Sequence, residues 1–215
     1  MRLISNKICP FAHRVTAVLV AKSLHFELEY IDLKNKPDWF LKISPTGKVP
    51  LLITPKKEMI FESTAIIEFL EESFQPKLYS DDLILRSLQR AWSIAATNLY
   101  FPLEQLLTSQ GTQDVSQHTT SVYNGLLALN DAICDDTLYF SSNKIGITDC
   151  SWIPVFWRIE LLQRFSNLNL VRDLQKVESL STNLRATKEY KNSVSKDYEE
   201  IFWSKYFKNN QFLSA

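Results

Sequence analysis

Near residue 75 the hydrophobic pattern of this chain changes its period, and few folds accommodate such a change. Before that point, helical and strand patterns alternate. Residues 2–5 open as a short apolar strand, and Phe11, Val15, Val18 and Leu19 then fall at helical spacing. Residues 26–33 alternate apolar and polar, which predicts a strand. A short helix is predicted over residues 38–43, stopped by Ser44-Pro45-Thr46-Gly47. Residues 49–53 and 59–61 read as a hairpin about Pro55-Lys56-Lys57, and Ile66, Ile67, Leu70 and Phe74 mark a third helix. The order β-α-β-α-β-β-α suits a four-stranded mixed sheet with helices.

Beyond a polar, proline-bearing stretch at residues 75–82, strand signals nearly vanish. Trp92, Ala95, Ala96, Leu99, Leu103 and Leu106 keep helical spacing, as do Val122, Leu126, Leu129 and Ile133, and residues 151–165 and 170–190 continue alike. Breaks fall at residues 111–114 and 135–137. An α/β domain over residues 1–75 and an all-α domain over residues 84–215 are therefore expected. The aromatic-rich residues 201–207 are expected to pack back on the body.

Lys plus Arg equals Asp plus Glu at 24 each, so no global field favours nucleic acid or an anionic membrane. Polar residues interrupt every apolar stretch before membrane-spanning length, and no secretory leader is evident. A soluble, cytoplasmic protein is expected. Three cysteines (Cys9, Cys134, Cys150) do not suggest a disulfide framework, and with His13, His25 and His118 they match no zinc spacing. No metal is expected, and Cys134 and Cys150, with no motif around them, read as inert.

Cys9 lies at a predicted strand-to-helix junction, and Pro10 suits a first helical position. Unsatisfied N–H groups and the positive dipole end there favour a thiolate, which predicts a pKa below the ordinary thiol value of about 8.5. His13 and Arg14 are candidates to add positive potential. Position alone also allows a small buried hydrophobe. The stretch Cys9-Pro10-Phe11-Ala12 resembles a redox Cys-x-x-Cys with alanine in the second place. A single thiol that forms a mixed disulfide needs an outside thiol to resolve it, and glutathione is the obvious one in a cytosol.

Pro50, after Val49, belongs at a strand end or edge, and a trans bond is the commoner state. A cis bond would offer the Val49 backbone to a bound peptide. Glu62-Ser63 precedes the third helix, where a hydroxyl and free N–H groups make either a carboxylate site or an ordinary N-cap.

Together these motifs resemble the glutathione transferase superfamily, specifically its omega class and the dehydroascorbate reductases. Residues 9–14 are similar to the omega active-site stretch, where an acidic residue often replaces His13. Residues 33–40 resemble the omega segment after the second strand, residues 43–50 the corresponding dehydroascorbate reductase loop, and residues 61–67 the γ-glutamyl-binding turn. The resemblance implies a thioredoxin-like domain followed by an all-helical one. It implies that Cys9 is catalytic through a mixed disulfide with glutathione, and that Phe11 lines the site. Lys36 would approach the glycyl carboxylate, Val49 would pair its backbone with the cysteinyl portion before a cis Pro50, and Glu62 with Ser63 would hold the γ-glutamyl end.

The second half matches more weakly. Gly146-Ile147-Thr148-Asp149 stands where the family has a helix-capping box opened by Ser or Thr, and Asp149 remains able to bond back to the cap. Trp152, Pro154, Phe156, Trp157 and Arg158 resemble the core helix that follows, and the aromatics are expected to pack in the core. The implied activity is glutathione-dependent thiol transfer or reduction on a small-molecule or glutathionylated substrate, by a homodimer. Two other readings are a non-enzymatic interaction module on the same fold, and conjugation of glutathione to electrophiles with Ser5 as the hydroxyl.

Overall fold

The computed structural model describes residues 1–213. Its first part runs β1 (Arg2–Ser5), α1 (Pro10–Ala21), β2 (Glu27–Tyr30), α2 (Asp38–Ile43), β3 (Leu51–Ile53), β4 (Met59–Phe61) and α3 (Ser63–Ser73). The strands form one sheet in the order β2-β1-β3-β4, with β1 parallel to β2 and antiparallel to β3, and β3 antiparallel to β4. This is the thioredoxin-like mixed sheet that the resemblance implies. Strand β2 is shorter than its alternating pattern because its ladder partner is short: pairing begins at Arg2↔Glu27 and stops at Ser5↔Tyr30, where β1 ends.

The second part is all helical: α4 (Leu83–Leu107), α5 (Thr112–Ala132), α6 (Ile147–Phe165), α7 (Gln175–Ala186), α8 (Lys188–Lys191) and α9 (Tyr198–Tyr206). Asp82 caps α4 by accepting from the Leu85 N–H at 2.7 Å. The helical pattern over residues 170–190 resolves into two pieces. Asp173 takes a left-handed φ of 65° just before α7, and the Thr187 hydroxyl accepts from the Tyr190 N–H to start α8. Phe202, Tyr206 and Phe207 are buried against the body, as their aromatic run predicts.

Helix α1 differs from a one-sided amphipathic helix. Every residue from Ala12 to Leu19 is buried, because the sheet and α3 cover one face and α6 covers the other. Helix α6 is equally enclosed; Trp152, Phe156 and Arg158 are each about 1% exposed. The two halves thus share one apolar interior.

The connection between them is locked by charge. Lys22 Nζ lies 2.7 Å from Glu71 Oε2 with both side chains buried, and also donates to the carbonyls of Phe74 at 3.0 Å and Pro76 at 2.7 Å. Glu71 in turn accepts the N–H groups of Leu78 at 2.9 Å and Tyr79 at 3.1 Å. Such a pair is tolerated in the interior because the remaining lone pairs and protons are taken up by backbone.

At the start of α6 the side chain of Asp149 closes the helix end. It accepts from the Gly146 N–H at 2.8 Å and, with its other oxygen, from the Phe140 N–H at 2.9 Å. Burial pushes this carboxyl up to about 6 against the pull of those N–H groups. Replacing Asp149 with Ala leaves two buried donors unmet and should destabilise the fold by about 2–4 kcal/mol in urea unfolding. Because the folded carboxyl titrates above the unfolded one, its stabilising contribution is complete below about pH 4 and declines as pH rises through about 6. The variant should lack that segment of the pH–stability curve.

Candidate active site

Residues 6–9 leave β1 as a tight loop that ends with Cys9 as the N-cap of α1. Asn6 organises the turn: its carbonyl accepts from the Cys9 N–H at 3.1 Å, and its side chain accepts from the Ile8 N–H at 3.2 Å and donates to the Ile31 carbonyl at 3.3 Å. The helical half grips the same loop. Lys7 pairs with Asp197 at 2.5 Å, and Arg158 Nη2 donates to the Ile8 carbonyl at 2.6 Å.

Cys9 is half-buried, and its thiol points weakly at the Val49 carbonyl, 3.9 Å away. Burial pushes this thiol up. The Ala12 and Phe11 N–H groups at the helix start pull it down, followed by the charges of Arg158 and Lys205. The helix-start effect expected from sequence is therefore present, but in the free protein desolvation exceeds it, and the predicted depression is not found. Nor do the cations come from the expected side chains. His13 is buried, its imidazole pushed well below its ordinary value by burial and by Arg158, and it shares a 2.8 Å hydrogen bond with Ser193. Arg14 is turned to hydroxyls, donating to Ser151 at 2.9 Å, Thr64 at 3.2 Å and Ser63 at 3.4 Å.

Beside Cys9 opens a cleft of about 400 Å³ lined by Phe11, Thr46, Lys48, Val49, Pro50, Glu62, Ser63 and Phe101, within the usual range for a small-molecule site. Five of the residues singled out from sequence thus share one wall. The Val49–Pro50 bond is cis. Lys36 stands outside the lining; its Nζ lies against the Gly47 turn, 3.9 Å from where a Cβ would be placed. Glu62, not Ser63, is the N-cap of α3, and it holds a left-handed φ of 68° with no side-chain cap bond. A residue with a Cβ is uncommon there, and such outliers concentrate at binding sites. The Ser63 hydroxyl instead accepts from Arg14, which leaves the first N–H groups of α3 uncapped by side chains.

Sequence reasoning missed Thr46, Lys48 and Phe101 in the lining, and Arg158 and Lys205 among the charges. Phe101 meets Phe11 at 5.9 Å between ring centroids, and Tyr100 meets it edge-on at 5.2 Å, so two aromatics of α4 pack on the first turn of α1, two residues after Cys9. Arg158 carried one usable signal: a lone cation within the apolar run of α6. Cys150 is fully buried with its thiol pushed well up by burial, which fits an inert residue, whereas Cys134 is exposed. Among the described residues no cluster could hold a metal ion, and no helix is long and apolar enough to cross a membrane.

A family model described as glutathione S-transferase, N-terminal domain, matches residues 8–73. Glutathione S-transferase omega-1 of Rattus norvegicus is 31% identical over 169 residues, which cover 76% of this chain and 68% of that protein. The probable glutathione S-transferase DHAR1, cytosolic, of Oryza sativa subsp. japonica is 26% identical over 199 residues, 91% of this chain and 89% of its own length. In fold, the chain resembles the crystal structure of glutathione transferase Omega 3C from Trametes versicolor, with a TM-score of 0.79 at 22% identity over 90% of this chain and 88% of the other.

Without ligand, Cys9 should alkylate along a pH profile whose midpoint lies above the ordinary thiol value of about 8.5. Iodoacetamide labelling with mass-spectrometric mapping measures it. Cys134, being exposed, should label at least as fast at pH 7, so total thiol loss does not report on Cys9. A Cys9 midpoint clearly under 8 would show that the helix start and its cations outweigh burial.

Proposed function

Because the chain belongs to the glutathione transferase superfamily, on its omega-class and dehydroascorbate reductase-like side, we propose that it is a glutathione-dependent thiol transferase or reductase acting through Cys9. The observation that carries this reading is the placement of a lone thiol at a helix start, beside a cleft walled by Val49, Glu62 and Ser63. Ala12, three residues on, supplies no second sulfur.

In this reading glutathione lies along the cleft. The Val49 backbone pairs with its cysteinyl portion, and the uncapped N–H groups of α3 with Ser63 receive the γ-glutamyl carboxylate. Glu62 pairs with the ammonium beside it, and Lys36 reaches the glycyl carboxylate from the Gly47 turn. The Cys9 thiolate attacks the glutathione sulfur of a glutathionylated substrate. A Cys9–glutathione disulfide forms, and the substrate sulfur leaves with the electron pair and takes a proton. A second glutathione thiolate then attacks that disulfide, releases oxidised glutathione and restores Cys9. With dehydroascorbate the same site passes two electrons and two protons from two glutathiones, which end as one disulfide. Phe11 and Phe101 offer an apolar wall for the second substrate, with the buried Tyr100 packed behind Phe11.

The conjugating alternative has less support, since Ser5 is buried and its hydroxyl donates to the Asn6 carbonyl. The exposed apolar side chains of Leu83, Ile84 and Leu88 near the start of α4 support assembly with a second copy of the chain, as a homodimer.

Cys9→Ser should abolish glutathione-dependent reduction of hydroxyethyl disulfide and dehydroascorbate. Ala12→Cys should form an internal disulfide and shift the protein towards dithiol behaviour. Intact mass after oxidised glutathione should show one adduct on Cys9 that free glutathione removes; full activity in Cys9→Ser would end this reading. In a Cys9→Ser background, Glu62→Gln should weaken glutathione binding by about 1–3 kcal/mol in titration calorimetry, as expected for a lost charge-assisted hydrogen bond. Unchanged affinity would place the ligand elsewhere.

A further inference from the structure

Arg158 is about 1% exposed and lies on α6, the helix that packs against α1. Among the described residues it has no carboxylate within ion-pair distance. Its guanidinium donates instead to two carbonyls, those of Pro154 at 3.1 Å and Ile8 at 2.6 Å. These carbonyls accept from its terminal nitrogens but carry no net charge, so no anion pairs with it directly, and a buried charge without a direct counter-ion is costly. The second of those carbonyls belongs to the residue immediately before Cys9.

The groups facing this cation and the Cys9 sulfur are few. From α9 come Tyr198, Lys205 and Tyr206, from α4 Tyr100 and Glu104, and from α1 the neutral His13. Glu104 is the one carboxylate in that set, and it is held by Lys205 at 2.9 Å and by the Tyr206 hydroxyl at 2.6 Å. Tyr198 is buried with its hydroxyl unpartnered, so it neutralises nothing. Of these groups, the one that can become an anion with little rearrangement is Cys9.

We infer that Arg158 is a positioning residue for Cys9: it clamps the Ile8 carbonyl and serves as the buried counter-charge of the Cys9 thiolate. This rests on the proposed use of Cys9 as a nucleophile and adds the source of its charge stabilisation. When the thiol gives its proton to water, the negative sulfur and the guanidinium form a compensated pair, so the helical half, as well as the start of α1, sets the reactivity of the thiol.

The test is alkylation of Cys9, which requires no glutathione and therefore separates this inference from the activity itself. In a Cys134→Ser background, Arg158→Met should raise the midpoint of the Cys9 pH profile by about one unit, an approximately tenfold loss of thiolate at pH 7. Arg158→Lys should recover most of that shift. Circular dichroism establishes that each variant is folded. A folded Arg158→Met with an unchanged or lower midpoint would overturn the inference. Should that variant fail to fold, the wild-type protein supplies the answer through reagent charge. Anionic iodoacetate relative to neutral iodoacetamide should react several-fold better at Cys9 than at a free uncharged thiol such as N-acetylcysteinamide, and an equal or lower ratio at Cys9 would overturn it. A protein inactive with every disulfide yet showing these dependences would keep Arg158 in this role and remove the proposed activity.

Discussion

The enclosure of α1 on both faces is the constraint from which the rest of the structure follows. A helix covered by a sheet on one side and by α6 on the other cannot turn its polar residues to water, so each must find a partner indoors. Arg14 spreads over three hydroxyls, His13 meets Ser193, and Lys22 meets Glu71. Ser63, Thr64 and Glu71 lie on α3, whereas Ser151 on α6 and Ser193 after α8 belong to the helical half. The interior polar contacts therefore fix how the two halves dock as well as how α1 sits.

The same enclosure sets the electrostatics at Cys9. Bringing α6 and α9 against the loop removes water from the sulfur, which disfavours a thiolate, and also brings Arg158 and Lys205 close, which favours one. Burial is the larger effect. The uncapped N–H groups and the Ser63 hydroxyl at the start of α3 come immediately after Glu62 with its left-handed φ. The Cys9 thiol and these N–H groups thus belong to different helix starts of one sheet-bound unit.

Much of the first half was legible because strand and helix periods differ and because proline and glycine mark its turns. Residues 38–43 and 59–61 fall where the pattern places them. The candidate site was legible in its local placement: Cys9 at a helix start, Val49-Pro50 ahead of a strand, and Glu62-Ser63 at the start of a helix. What escaped was whatever depends on two distant segments meeting. The direction of the His13 and Arg14 side chains, the reach of Arg158 across 150 residues to Ile8, and the arrival of Phe101 opposite Phe11 are tertiary facts with no local signature. The sign of the Cys9 shift belongs with them, since desolvation is a property of the packed whole. The Gly146 cap shows the opposite case: Asp149 alone, read at its fixed offset, sufficed to foresee the bond back to the cap N–H.

The Lys22–Glu71 lock has a consequence for where the first half ends. The segment at residues 74–79 is held as a ligand of the first half, through the carbonyls of Phe74 and Pro76 and the N–H groups of Leu78 and Tyr79. A first half truncated at residue 75 would lose the Pro76 carbonyl and the Leu78 and Tyr79 N–H groups, leaving Lys22 and Glu71 paired only with each other and with Phe74. The self-sufficient unit of this architecture therefore extends past its last secondary-structure element, as far as Tyr79: the connecting segment belongs with the sheet rather than with the helices.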